Sequence, residues 1–317
     1  MFAKRRTIVL GLTAVLQFCV LRALDSQSLL PRAYLITPLH SNTINLGYSF
    51  YSGGLDFNGV VPVEGATGTY SVPTVGYYHS FGVLGRSANI QGSLPYGVGT
   101  FQGAVLGTDQ EIYRSGLVDL GFRVSVNLKG GPAMPISQFI QWKQKIVLGI
   151  SLGVIAPTGQ YSPANLIRWG TNRWTFKPEF GYSQRFGKWI LDGYAGIWFF
   201  TPNPKFLSIP VPQSQTENPI GSVESHLSYD AKRFRSGTPL WFSLDGNFWY
   251  GGTASLGDRS NPATRQTSSR IGVSAGIPLS RHQSIKTSFS TGAYIRYGGD
   301  YRSASVSWQY SWLGRPN

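Results

Sequence analysis

Long stretches of this sequence alternate between apolar and polar residues, and this alternation is what most limits the possible folds. In residues 240–250, the even-numbered positions are apolar except for Gly246, and the odd-numbered positions are mainly polar. The two sets are Leu240, Phe242, Leu244, Phe248 and Tyr250 against Trp241, Ser243, Asp245, Asn247 and Trp249. A period of two places them on opposite faces of a β-strand. The sequence therefore predicts strands with two unlike faces.

The same pattern recurs often enough to predict a large all-β protein. Segments of eleven to thirteen residues exceed the five or six typical of soluble sheets and suit the ~9–11 residues that cross a bilayer as a tilted strand. Twelve strands are predicted, near 43–53, 71–82, 87–103, 115–129, 145–156, 172–186, 188–201, 222–234, 239–251, 268–279, 283–297 and 301–312. Their connections alternate between short turns and long loops, as in an outer-membrane barrel.

The composition agrees with a strand protein whose alternate residues face lipid. Only 13% of the residues are charged and 14% are aromatic, whereas a soluble domain carries roughly 25% charged residues. The aromatic content excludes a disordered chain. A charge at mid-membrane costs a barrel ~2–4 kcal/mol, so charges are expected only in the lumen, the turns and the loops.

The N-terminus has the layout of a secretory signal peptide. Lys4, Arg5 and Arg6 precede an apolar stretch that ends near Ala23, and this stretch is too short for an ordinary spanning helix. We therefore predict a signal peptide at 1–23, a periplasmic N-terminal segment at 24–42 and a barrel at 43–312. Cleavage there would remove the only cysteine, Cys19, and lower the net charge from +14 to +10. A retained N-terminal anchor is the alternative.

A soluble β-sandwich is the competing fold, because alternation alone does not tell the inside of a sheet from its outside. Three features favour a barrel. Twelve strands exceed what one sandwich commonly uses. Aromatic residues lie near strand ends, as in the girdles of membrane barrels, and the last strand ends in alternating aromatics up to Trp312. We therefore predict a transmembrane outer-membrane antiparallel β-barrel of about twelve strands, in the bacterial cell outer membrane.

Several motifs resemble those of the bacterial outer-membrane family named for the MetA-pathway of phenol degradation. They cover nearly all of the chain after the predicted signal peptide. The matching segments are 31–34 (PRAY), 47–54 (GYSFYSGG), 114–119 (RSGLVD), 125–128 (SVNL), 156–161 (APTGQY), 170–174 (GTNRW), 177–179 (KPE) and 308–310 (WQY). The resemblance implies an outer-membrane barrel with an uptake role and no catalytic residues. Arg168-Trp169 departs from the Asn-Leu expected before Gly170.

The polar parity of the predicted strands supplies the candidate functional residues. We expect it to line a lumen of modest width, with a basic balance that would favour small anions. The lumen-lining candidates are Asp119, Arg123, Arg173, Lys177, Glu179, Asp192, Trp241, Asp245, Arg270, Lys286 and Arg296. Trp241, Trp249 and Tyr294 would offer ring contacts to an aromatic solute. The alternative is that these charges pair across strands and rigidify the lumen.

Catalytic and metal sites are not predicted. An outer-membrane hydrolase needs a serine with a histidine partner, and among the four histidines only His226 lies convincingly within a strand. No cluster shows metal-ligand spacing, no cofactor is implied, and dispersed basic residues disfavour nucleic-acid binding. The expected partners are outer-membrane lipid and a small-molecule solute. A channel for small, aromatic or acidic solutes is the leading hypothesis. A structural or surface-interaction barrel without transport is the alternative, and an outer-membrane hydrolase is a remote one.

Overall fold

The structure, a computed structural model, describes residues 29–56, 63–105, 107–165, 167–207, 213–233 and 239–314. The predicted signal peptide lies outside these residues. Within them are a short α-helix, α1 (Ile136–Phe139), a 3-10 helix (Pro262–Thr264) and seventeen β-strands. The strands are β1 (Ser41–Asp56), β2 (Val63–Val83), β3 (Arg86–Val105), β4 (Thr108–Leu117), β5 (Leu120–Lys129), β6 (Ile146–Ala156), β7 (Thr175–Phe186), β8 (Trp189–Phe200), β9 (Asn203–Leu207), β10 (Gln213–Glu217), β11 (Ile220–Arg233), β12 (Pro239–Gly251), β13 (Ala254–Leu256), β14 (Arg259–Asn261), β15 (Gln266–Pro278), β16 (Gln283–Ile295) and β17 (Gly298–Leu313).

The main sheet closes on itself as a barrel. Its wall follows chain order from β1 through β2, β3, β4 with β5, β6, β7, β8, β11, β12, β15 and β16 to β17, which pairs again with β1. All these pairings are antiparallel, and the closing ladder runs from Ser41↔Leu313 to Asp56↔Gly298. Since β4 and β5 occupy one place in the wall, the barrel has twelve strands. This confirms the predicted fold class.

The prediction of a single strand at 115–129 is wrong, because this part of the chain is divided between β4, which ends at Leu117, and β5, which begins at Leu120. β3 pairs with β4 up to Tyr96↔Leu117 and with β5 from Ser93↔Gly121. Between the two ladders, two residues of β3 face three residues that include Asp119. One of the two is Pro95, which has no N–H to donate to a ladder; its carbonyl accepts from Val118 at 3.1 Å. The extra residue is a bulge that lets Asp119 turn into the barrel.

The outward parity of the wall is apolar and exposed. Leu46, Phe180 and Leu244 are 47%, 45% and 62% exposed, whereas Asp245, the inward neighbour of Leu244, is only 2% exposed. An apolar band that surrounds a closed barrel is the lipid-facing surface of an outer-membrane protein. The structure thus replaces the sandwich alternative with a transmembrane barrel of the bacterial outer membrane.

The two ends of the barrel differ. One end, the short-turn end, carries the turns at 84–85, 187–188 and 279–282 together with the connector 130–145. The sequence predicts an amphipathic helix in that connector, and only its centre is helical, as α1. The other end, the long-loop end, carries the loop 157–174 and a four-stranded sheet of β14, β13, β10 and β9. No helix in the described ranges is long and apolar enough to cross a membrane.

Candidate functional site

The barrel lumen holds part of the chain itself. Residues 31–39 cross the interior near the short-turn end, where the backbone amide of Arg32 donates to Asp192 Oδ2 at 3.1 Å. Ile36 in this segment is 2% exposed. The assignment of 24–42 to a periplasmic segment stays a prediction. The structure adds that the described part of that segment packs against the inward side chains of the wall.

Tyr34 fixes this internal segment in a notch made by two glycines. Gly149 of β6 and Gly181 of β7 are directly paired, and a Cβ atom on either would lie 2.5 or 2.0 Å from the Tyr34 ring. The Tyr34 hydroxyl donates to Glu179 Oε1 at 3.0 Å, and the guanidinium carbon of Arg123 lies 4.8 Å from the ring centroid. The ring is therefore held between the wall and a cation.

Several lumenal charges form a network of ion pairs. Lys177 Nζ lies 2.7 Å from Glu179 Oε2 and 2.9 Å from Glu224 Oε1, and so bridges two carboxylates. Further ion pairs join Arg32 and Arg185 to Asp230, Arg123 to Glu179, and Arg173 to Glu217. Buried charges need such partners. Pairing across strands, the alternative left open by the sequence, therefore holds for Arg123, Arg173, Lys177 and Glu179.

Asp119 is a clamp for the loop 157–174. Its Oδ1 accepts from the backbone amide of Gly159 at 2.7 Å, and its Oδ2 accepts from the amide and hydroxyl of Thr171 at 2.8 and 2.6 Å. Asp119 itself is 6% exposed. The clamp folds the loop into the barrel mouth, so Asp119 faces the loop rather than an open lumen.

The clamped loop carries Trp169 into an apolar cluster at the long-loop end. This outer cluster consists of the buried residues Tyr70, Val72, Phe101, Ile167 and Trp169. Gly97 makes room for it, since a Cβ there would lie 2.1 Å from the Trp169 ring. A second inward cluster contains Trp198, Ile220 and Trp249. The inward parity is therefore apolar toward this end, which the prediction of a polar lumen missed.

The remaining part of the wall is lined by small polar side chains. On the inner faces of β16, β17, β1, β2 and β3 these side chains are partly exposed, unlike the buried charges opposite. They are Ser288, Ser303, Ser305, Ser307, Gln309, Asn45, Ser49, Thr74, Gln91 and Ser93. We call this surface the hydroxyl wall. Its exposure means that water-accessible space lies along it inside the barrel.

The other lumenal candidates occupy different surroundings. Arg270 lies 4.2 Å from the Tyr301 ring centroid and donates to Ser290 at 3.1 Å. Lys286 and Trp241 lie near Arg32, at the edge of the hydroxyl wall. Arg296 lies apart from Lys286, Trp241 and Arg32.

A bulge in β16 accounts for the position of Arg296. Ser269 pairs with Tyr294, whereas the adjacent Arg270 pairs with Gly292, so Ala293 is an extra residue in β16. A one-residue shift exchanges the two faces of a strand. Tyr294 is accordingly 58% exposed instead of facing the lumen, and Arg296 follows β16 instead of continuing its inward row.

His226 does not form a hydrolytic triad with the serines around it. Its Nδ1 lies 2.8 Å from Asp245 Oδ1, but Ser243 and Ser274 both donate to Asp245, each at 2.6 Å. In the described part of the chain no serine hydroxyl bonds to His226, and no group of three or more metal-ligating side chains occurs. The serines therefore lack the histidine base that nucleophilic attack requires.

Three lumenal residues are not indicated by the alternation in the sequence: Arg32, Tyr34 and Glu217. All three lie outside the predicted strands, where parity carries no information. A usable signal exists for Tyr34, because the glycines at 149 and 181 fall on the inward parity of neighbouring strands. Two paired inward glycines indicate a close approach by another group.

Comparison with known proteins connects this geometry to one family. The family model described as "Putative MetA-pathway of phenol degradation" matches residues 54–306. Among curated proteins, none is significantly similar to the chain.

Two solved structures are similar to the barrel. An outer membrane channel from Pseudomonas putida F1 has a TM-score of 0.72 at 14% identity, covering 90% of this chain and 100% of that chain. The β domain of the Bordetella autotransporter Brka has a TM-score of 0.51 at 13% identity, covering 86% and 100%. At these identities both share the barrel fold with this chain, and the likeness carries no further meaning.

Proposed function

This chain belongs to the family described as "Putative MetA-pathway of phenol degradation", and from that premise we propose that it is an outer-membrane channel for the uptake of small solutes. The observation that carries the proposal is the hydroxyl wall. Uncharged, partly exposed Ser, Thr, Asn and Gln side chains along five adjoining strands form a surface that a hydrated solute can follow. Such side chains replace water as hydrogen-bond partners without holding an ion strongly, as conduction requires.

The charge that reaches the water-accessible space favours neutral aromatic compounds and small anions as solutes. The carboxylates of the lumenal ion pairs are at most 8% exposed, whereas Lys286 is partly exposed beside the hydroxyl wall. A passage whose accessible charge is cationic selects against cations. The family description agrees with phenol-type solutes.

We propose that the short-turn end faces the periplasm. Short turns lie on the periplasmic side of outer-membrane barrels and longer loops lie outside. In this orientation the internal segment 31–39 lies on the periplasmic side of the lumen, and the outer cluster around Trp169 lies on the external side. A solute would enter past the clamped loop and leave past Tyr34.

Liposome swelling tests this proposal. Liposomes that contain the purified full chain should swell in isotonic benzoate or phenol faster than in a disaccharide, and protein-free liposomes give the background. Planar-bilayer recordings on the same preparation should give ionic conductance. Background swelling rates in every solute together with silent bilayers would contradict a channel.

A closed structural or surface-interaction barrel is the second candidate. The observations that favour it are the internal segment 31–39 and the two inward apolar clusters, which occupy both ends of the lumen. It predicts silent bilayers together with a binding activity that depends on the long-loop end. Deletion of 204–216, which keeps Glu217 and all of β11, should then abolish binding to a surface partner, whereas a channel would retain its solute flux.

A further inference from the structure

Lys286 is a lumenal cation that forms no ion pair with any of the described residues. In the part of the chain that the structure describes, its Nζ makes neither an ion pair within 4.0 Å nor a hydrogen bond. The indole of Trp241 lies beside it, with its ring centroid 5.9 Å from Nζ. Lys177, by comparison, touches two carboxylates. An ammonium group in a lumen is stable only with an anion or water as its partner.

A second unsatisfied donor lies against the same indole. The guanidinium carbon of Arg32 is 4.6 Å from the Trp241 ring centroid. Its Nη2 bonds to Asp230 at 2.5 Å, but its Nε is buried without a hydrogen-bond partner. The Arg32 side chain is 9% exposed. Two nitrogen donors of positive groups therefore converge on one ring, each with unused bonding capacity.

The wall leaves space for a ligand at this level. Trp241 lies flat over Gly276, where a Cβ would be 2.1 Å from its Nε1. Gly276 pairs with Lys286, and Lys286 pairs with Ser307. Ser307 pairs in turn with Gly47. The row beside the lysine thus consists of two small, partly exposed residues, Ser307 of the hydroxyl wall and Gly47, and Lys286 is itself partly exposed.

We infer that Lys286, Arg32 and Trp241 form a binding site for a small monocarboxylate. The carboxylate accepts from the Lys286 ammonium, a charge-assisted bond about twice as strong as a neutral one, and the guanidinium of Arg32 over the same indole adds a second positive charge. Asp245 is the protein carboxylate that could compete, but it already accepts from His226, Ser243 and Ser274. The site deepens the proposed channel function, on which its role as a transit site rests.

Equilibrium binding tests this site independently of conductance. Isothermal titration of the detergent-purified full chain should detect benzoate and not benzamide, a neutral molecule of the same size and shape. In K286M the benzoate affinity should fall at least tenfold, and in K286R it should stay within about threefold of the wild type. K188M, which removes an exposed lysine from the turn after β7, is the matched control and should bind as the wild type does. K286Q repeats the test if K286M fails to fold.

The possible outcomes separate the site from the channel. Loss of benzoate binding in K286M with retention in K286R supports the site, whatever the bilayers do. Equal benzoate affinity in K286M and wild type, equal affinity for benzoate and benzamide, or no benzoate binding at all would overturn it. Silent bilayers alone would overturn the channel and leave the binding result as it stands.

Discussion

The aromatic ring of Tyr34 occupies the space that a side chain at Gly181 would need, because a Cβ at Gly181 would lie 2.0 Å from its Cε2 atom. The two residues are 147 positions apart in sequence. Their fit holds residues 31–39 inside the barrel, against the inner faces of β6 and β7. The contact therefore determines whether the segment before the first strand occupies part of the lumen.

Gly181→Ala should displace the internal segment. Forcing an extra methyl into a filled contact costs about 1–3 kcal/mol, so the segment should open at least about fivefold more often. Trypsin cleavage after Arg32, followed by mass spectrometry of the folded protein, measures this opening. Gly193→Ala is the control, since a Cβ at Gly193 meets nothing within 4 Å. Equal cleavage rates in the two variants would refute the notch.

Asp119→Ala should release the loop 157–174 from the barrel mouth. The variant removes a carboxylate that accepts three hydrogen bonds, and each bond to a charged group contributes about 1.5–3 kcal/mol. Trypsin should then cleave between Arg168 and Trp169, a bond that the folded loop buries. Asp258→Asn, in an exposed turn between β13 and β14, is the control. Protection of that bond in D119A would show that the loop is held by other contacts.

Lys177→Met should destabilise the barrel strongly. It leaves Glu179 without its 2.7 Å partner and Glu224 without its 2.9 Å partner, and breaking a buried ion pair costs about 3–5 kcal/mol. The unfolding temperature, followed by the mobility shift of the heated barrel in gels, should fall well below that of K188M. The double variant K177M/E224Q should recover part of the loss. An unchanged unfolding temperature in K177M would mean that the network contributes no stability.

The fold was predictable because alternation is a local property of each strand. Residues 240–250 become one strand, with Asp245 inside and Leu244 outside, as their parity indicates. Parity fails where one residue is inserted: the extra Ala293 reverses the faces that follow it, and Arg296 is lost from the inward row. It also cannot report contacts between distant parts of the chain, such as Asp119 with Thr171.

Strand parity selects some of the lumenal residues but does not indicate how their charges pair. Lys177, Glu179 and Asp245 share the inward parity of their strands, yet which carboxylate meets which cation depends on strand order and register. Strand alternation gives no information about Arg32, because this residue precedes the first strand. The sequence therefore indicates a basic lumen, whereas in the structure Lys286 stands apart from the paired charges.

The central claim is that small solutes pass along the hydroxyl wall. A single cysteine tests it directly, because the only native cysteine, Cys19, lies in the predicted signal peptide. Ser49→Cys places a thiol on the hydroxyl wall, and Ser243→Cys places one on the buried opposite wall, where the serine is 5% exposed. In planar bilayers, a charged methanethiosulfonate reagent should reduce the conductance of S49C and leave that of S243C unchanged. An unaltered conductance in S49C, or an equal response of the two variants, would contradict a passage along this wall.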